Sequence, residues 1–158
     1  MERRITEEQV TKAILNWLEA SGWEIVCFDF PQSGTGTSLH PKGENSKTKN
    51  IIIPDIVAYK ASEDIGVFFE NKNRFYYNDF LKIEKLRKTT DYKEALSKLF
   101  DEKLPRQMYY GIGLPDQKLF WEKAKQSLSR IDFLITVADS GFVKVSYTVN
   151  PKIFNGKN

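Results

Sequence analysis

Ile51 to Arg74, IIIPDIVAYKASEDIGVFFENKNR, is the stretch on which the fold turns. It reads as two apolar strands joined by a short polar turn. Ile51 to Tyr59 is a β-branched run with one proline and a single charge, Asp55, in its middle. After Ala61 to Asp64, the second run, Ile65 to Phe69, leads directly into Glu70-Asn71-Lys72. Side chains alternate along a strand with period two, so Glu70 and Lys72 share a face and Asn71 points away from them. If the runs are neighbouring strands, Asp55 comes within metal-bridging reach of Glu70, with Lys72 beside both.

Such a grouping has definite chemistry. Two negative charges about 4 Å apart repel by roughly 4 kcal/mol at an effective dielectric of about 20, so a half-buried Asp/Glu pair calls for a counter-ion. Carboxylate oxygens suit Mg²⁺ or Mn²⁺, which keep water ligands and hold phosphate oxygens in their open positions. A nearby ammonium orients the attacking water or offsets charge on the phosphate. The competing reading without chemistry makes Asp55 a strand-edge charge and Glu70 and Lys72 a structural ion pair.

Pro54-Asp55 followed by Glu70-Asn71-Lys72 resembles the PD-(D/E)xK nuclease superfamily of restriction and repair enzymes. The resemblance covers about residues 6–113. It implies a restriction-endonuclease-like α/β fold, an αβββαβ core around a central mixed sheet, with the C-terminal helix and β-hairpin of residues 114–158 as an elaboration of one nuclease domain. It also implies Asp55 and Glu70 as metal ligands, Lys72 as the third catalytic residue, and products with a 5′-phosphate and a 3′-hydroxyl. Gln107 and Tyr110 depart from the Gln–Tyr spacing found at this point in some nucleases of the superfamily.

Ahead of this stretch, Thr6-Glu7-Glu8-Gln9 reads as a capping box opening a helix to about Ala20, with Val10, Ala13, Ile14, Trp17 and Leu18 as its buried stripe. Glu7 extends that stripe back one turn, and Glu8 lies about 100° around the helix. In many relatives an acidic residue on the first helix contacts the metal, so the resemblance points to Glu7, with Glu8 in reserve. Acidic residues in a first turn also stabilise a helix dipole with no catalytic duty. Trp23 to Phe30 is a strand signal in which Cys27 reads as a small core residue.

Pro31 to Asn50 is polar, lacks apolar periodicity and reads as a long loop. Ser33 and Thr35 offer hydroxyls within a Gly-rich run, and Lys42, Lys47 and Lys49 add positive charge, which fits contact with a DNA backbone as well as plain solvation. The Gly-Lys-Ser/Thr ending of a nucleotide-binding phosphate loop is missing, so no nucleotide cofactor is expected. Beyond the catalytic strand, Arg74 lies among aromatics. A helix capped by Asn78 then carries Phe80, Leu81, Ile83 and Leu86 inward and a basic face of Lys82, Lys85, Arg87 and Lys88 outward. Arg74, Lys82 and Lys85 are the DNA-binding candidates here, and a solvated face is the bland alternative. A short helix over Tyr92 to Asp101, a strand over Gln107 to Ile112, a helix over Pro115 to Ser127, and a hairpin of Ile131 to Ala138 with Phe142 to Val149 complete the reading.

The 158 residues suffice for one domain that buries roughly 68–70% of its unfolded surface. A net charge of +3 is compatible with a nucleic-acid partner. One cysteine and one histidine exclude an internal disulfide and a Cys/His zinc site, so a metal must be held by oxygen. No signal peptide or membrane-length apolar run is visible, and the expectation is a soluble, cytoplasmic protein. The leading functional expectation is a Mg²⁺-dependent, restriction-type DNA endonuclease acting as a homodimer. A repair or junction-resolving nuclease and a catalytically silent nucleic-acid-binding subunit are the alternatives.

Overall fold

The computed structural model of the chain describes residues 5–30, 37–41 and 51–154. Helix α1 spans Glu7–Ala20 and begins as the capping box requires: the Gln9 N–H donates to Thr6 Oγ1 at 3.1 Å, and the Thr6 N–H donates to Gln9 Oε1 at 2.8 Å. It ends at Ser21, and Gly22 takes a φ of +91°, where a residue with a Cβ would be strained. Strands β1 (Glu24–Phe28), β2 (Ile56–Lys60) and β3 (Ile65–Asn71) follow, then helices α2 (Tyr77–Lys88) and α3 (Lys93–Leu99). Strand β4 (Gln107–Pro115), helix α4 (Lys118–Ala124), a 3₁₀ turn at Lys125–Arg130, and strands β5 (Phe133–Val137) and β6 (Val143–Thr148) complete the order.

The six strands form one sheet in sequence order. The pairs β1/β2, β2/β3 and β5/β6 are antiparallel, whereas β3/β4 and β4/β5 are parallel. Parallel neighbours need a crossover, and α2 with α3 supplies the first while α4 with the 3₁₀ turn supplies the second. The protein is therefore an α/β domain built on a mixed sheet. The last third completes that sheet beyond β4, and Ile153 and Phe154 return to the core beneath α1.

Alternation along β3 sorts the two faces. Val67 and Phe69 pack with Val10, Ile14 and Leu18 of α1, and Phe68 packs with Phe80, Ile83 and Leu86 of α2. Continuing the alternation puts Glu70 and Lys72 on the α2 face and Asn71 on the α1 face. Strand β2 agrees: Ile56 and Ala58 belong to the α1 side and Val57 to the α2 side, which carries Asp55 to the face of Glu70.

Several boundaries differ from the sequence reading. Strand β2 begins at Ile56, so Asp55 stands just ahead of it and not in mid-strand, where Pro54 cannot donate to a ladder. In α1 the buried residues include Thr11 and Leu15, whereas Ala13 and Trp17 are half-buried. Tyr76, not Asn78, is the cap position of α2, and it makes no side-chain cap bond. Pro115 ends β4 instead of opening a helix. Leu119, expected on an inward face, is 58% exposed, because α4 turns Phe120, Trp121 and Ala124 to the core and leaves Leu119 on the opposite side.

Candidate active site

The antiparallel register of β2 and β3 pairs Ile56 with Phe69, so one step further Asp55 faces Glu70 at the end of the sheet. The Asp55 N–H donates to the Phe69 carbonyl at 3.1 Å, and the Asn71 N–H donates to Asp55 Oδ2 at 2.7 Å. The carboxylate is thus tied to the strand that carries Glu70. Both acids are buried, Asp55 to 7% exposure and Glu70 to 5%. Burial, and after it the negative charge of Glu70, push Asp55 up to about 8, with Glu7 adding in the same direction against the Asn71 N–H and Lys72.

Lys72 follows β3 directly, and its own N–H donates to the Gly113 carbonyl of β4 at 3.0 Å, which fixes where its side chain leaves the sheet. Its Nζ donates to Glu70 Oε2 at 2.6 Å and lies 3.5 Å from Asp79 Oδ1 of α2. Burial disfavours its charge, but Glu70, Asp79 and Asp55 outweigh that and hold Lys72 above the ordinary lysine range. At neutral pH it is an ammonium and not a base.

Helix α1 delivers Glu7 to the same end of the sheet. Burial raises the Glu7 carboxyl above its ordinary value, Lys72 opposes the shift, and the charges of Glu70, Asp79 and Asp29 add to it. Those influences put Glu7 within electrostatic reach of the site acids. Glu8, by contrast, is exposed and pairs loosely with Lys12 at 4.0 Å. The height of α1 over the sheet is set by a buried hydrogen bond in which Asn71 Nδ2 donates to Thr11 Oγ1 at 3.1 Å, one turn on from Glu7.

The remaining candidates separate. Lys82 turns into the cluster and donates to Glu70 Oε1 at 2.8 Å, so it does not stand on the outward basic face with Lys85. Of that face, Arg87 is engaged by Asp132 and the Ser129 carbonyl, whereas Lys85 and Lys88 are both exposed, Lys88 pairing with Glu84 at 3.4 Å. Arg74 is exposed, donates to Tyr76 Oη at 2.8 Å and stacks over the Tyr76 ring at 5.2 Å. Ser33, Thr35, Lys42, Lys47 and Lys49 lie outside the described residues. Cys27 is half-buried, and burial pushes its thiol up to about 11, so it remains protonated at neutral pH.

Two participants escaped the sequence reading. Asp79 contacts Lys72, and Asp29 bonds through its N–H to the Asp55 carbonyl at 2.9 Å. The signal for Asp79 is its place three residues before Lys82 at the start of the helix that follows β3. Both residues flank the buried positions Phe80 and Ile83, so they share the edge of the face that packs on the sheet.

The acids at this end of the sheet offer carboxylate oxygen, and of the two main causes that raise Asp55, burial and after it the Glu70 charge, a cation between the acids relieves the second. Among the described residues no three or more His, Cys, Asp or Glu side chains are gathered into a ready-made cage. Among the described residues no helix is long and apolar enough to cross a membrane.

No family model and no curated protein matches this chain. Among solved structures it is similar to the crystal structure of an XisH family protein from Nostoc punctiforme, at 15% identity, over 86% of this chain and 96% of that chain, with a TM-score of 0.39. A likeness of that size bears on neither fold family nor function.

Proposed function

We propose that the protein is a Mg²⁺- or Mn²⁺-dependent DNA endonuclease with a PD-(D/E)xK-type site on a restriction-endonuclease-like core. The observation that carries this reading is the buried Asp55–Glu70 pair, with Asp55 pushed up to about 8 and Lys72 Nζ 2.6 Å from Glu70. A purely structural ion pair between Glu70 and Lys72 needs no second buried acid, and Asp55 raises the cost of the site without a counter-ion. The order α1-β1-β2-β3-α2-α3-β4 agrees with the αβββαβ core that the family resemblance implies.

In this reading Asp55 and Glu70 would hold the cation, which when bound would supply Lewis-acid activation of water and phosphate. Asp55 is kept in place by the Asn71 N–H. Lys72 stays charged, orients the attacking water and offsets negative charge that builds on the phosphate. Glu7 stands by as an acid that burial holds above its ordinary carboxylate value, placed to pass a proton. Arg74 on Tyr76 gives a charged, stacked platform beside Lys72 for the strand being cut. One such site handles one strand, so a double-strand break of the restriction type calls for a two-fold dimer.

The discriminating experiment is DNA cleavage in Mg²⁺ and in EDTA, followed alongside folding by circular dichroism. A nuclease loses turnover in EDTA and keeps its fold. Retention of DNA with equal affinity in both buffers, and no cleavage in either, would instead identify a silent binding subunit.

A further inference from the structure

Helix α2 brings two charges to the site, Asp79 and Lys82, three residues apart and therefore on neighbouring positions of one face. Together with β3 they form a chain of alternating charge. Asp79 Oδ1 lies 3.5 Å from Lys72 Nζ, Lys72 Nζ 2.6 Å from Glu70 Oε2, and Glu70 Oε1 2.8 Å from Lys82 Nζ. Both oxygens of Glu70 are thus engaged by ammonium groups while its side chain is only 6% exposed.

A cation that takes Glu70 as a ligand must share or displace one of these two contacts. They are not equivalent. Lys72 is held by two carboxylates and is 25% exposed, whereas Lys82 is held by Glu70 and is 36% exposed. Lys82 also stands on a flexible four-carbon stem rising from a helix, so it can swing to solvent without moving the sheet. Lys72 leaves β3 at a point pinned by the Gly113 carbonyl.

We propose that Lys82 is a built-in competitor for the cation. It neutralises Glu70 when the site is free of metal and leaves Oε1 when metal arrives, and the released ammonium is then at hand for a phosphate oxygen. The proposal rests on Glu70 being a metal ligand, as in the function proposed above. A phosphate that holds Lys82 away from Glu70 favours metal, and by reciprocity metal favours the phosphate, so Lys82 couples the two binding events.

The test is Mn²⁺ binding without substrate, followed by the loss of the free-ion paramagnetic signal, for the wild type, Lys82→Met, Lys82→Arg and Lys85→Met. Lys82→Met should bind Mn²⁺ about tenfold more tightly, a gain of about 1.4 kcal/mol. Lys82→Arg, which keeps a cation on Glu70, should stay near wild type. Lys85→Met removes the same charge one turn further on and should shift affinity less than about twofold, as expected for a screened surface charge. Lys82→Gln should follow Lys82→Met, so a folding defect in one variant does not remove the test. Equal or weaker affinity in both Lys82→Met and Lys82→Gln would overturn the competitor role and leave the nuclease reading standing. Absence of Mn²⁺ binding in every protein would overturn both.

Discussion

The backbone N–H of Asn71 donates to Asp55 Oδ2 at 2.7 Å across sixteen positions of sequence, inside the protein. This bond ties an acid that precedes one strand to the strand that carries the other acid. It also explains why Asp55 keeps its place although burial and the Glu70 charge press it towards the neutral form.

The sign of that pressure gives a first prediction. Asp55 is raised from 3.8 to about 8, so between those values the folded protein holds a proton that the unfolded chain releases. Stability from this group is therefore fully present below pH 3.8 and is lost as pH rises through 8. Asp55→Asn keeps an acceptor for the Asn71 N–H and cannot ionise. Its melting temperature should exceed that of the wild type at pH 8.5 by roughly the 2–4 °C expected per kcal/mol in a domain of this size. The advantage should vanish near pH 4. A constant offset across pH would show that Asp55 is not the group responsible.

Lys72→Ala should abolish DNA cleavage, by a factor of about 10² or more, with little loss of stability. Glu70 retains its bond to Lys82 when Lys72 is removed, so its charge is not stranded. The expected cost is about 1 kcal/mol, in line with a partly exposed pair. A loss several times larger, read from denaturant unfolding, would mean that Lys72 is chiefly a structural partner.

How far the site can be read from sequence follows from its periodicity. Pro54-Asp55 and Glu70-Asn71-Lys72 sit on or beside two strands, and period-two alternation is enough to put both acids on one face. The first helix and the strand runs were legible for the same reason, since the capping box and the runs are local signals, whereas the mixed sheet was implied only by the family resemblance. Thr11 was not, because a buried hydroxyl looks polar until its partner, Asn71, arrives from sixty positions away. Lys82 read as an outward charge because helical periodicity gives a direction and not the neighbour that waits there. Leu119 misled in the opposite sense, as an apolar residue on the face of α4 away from Phe120, Trp121 and Ala124.

Thr11→Val should destabilise the protein by about 1–3 kcal/mol, the cost of leaving a buried polar group unpaired. Asn71 Oδ1 has no hydrogen-bond donor among the described residues, so removing Thr11, the partner of Nδ2, leaves the side-chain amide without a partner among them. Thr11→Ser should recover most of the loss. Chemical denaturation of the three proteins decides the matter, and equal stability of the valine and serine variants would contradict it.

Gly113→Ala probes the same buried corner from β4. An added Cβ there would collide with Asn71 Oδ1 and with Ile14 Cδ1, so overpacking should cost about 1–3 kcal/mol. Because Asn71 also holds Asp55, cleavage should fall further than stability alone explains. Unchanged activity in a folded Gly113→Ala protein would break that link.

Glu7→Gln should slow cleavage by about tenfold or more, the lower part of the range for a group that moves a proton. Glu8→Gln, altering an exposed residue paired loosely with Lys12, should leave the rate nearly unchanged. Equal effects in single-turnover assays would reduce both residues to stabilisers of the helix terminus.

The central claim is that Asp55, Glu70 and Lys72 hydrolyse DNA phosphodiester bonds with a bound divalent cation. The most direct measurement is incubation of a plasmid of known sequence with the wild type and with Asp55→Ala, in Mg²⁺ at about the 10 mM scale suited to a weak, hydrated-metal site. The wild type should give DNA fragments with 5′-phosphate ends, and the variant should leave the plasmid intact. Cleavage that persists in Asp55→Ala, or a folded wild-type protein that leaves every DNA intact in both Mg²⁺ and Mn²⁺, would contradict it.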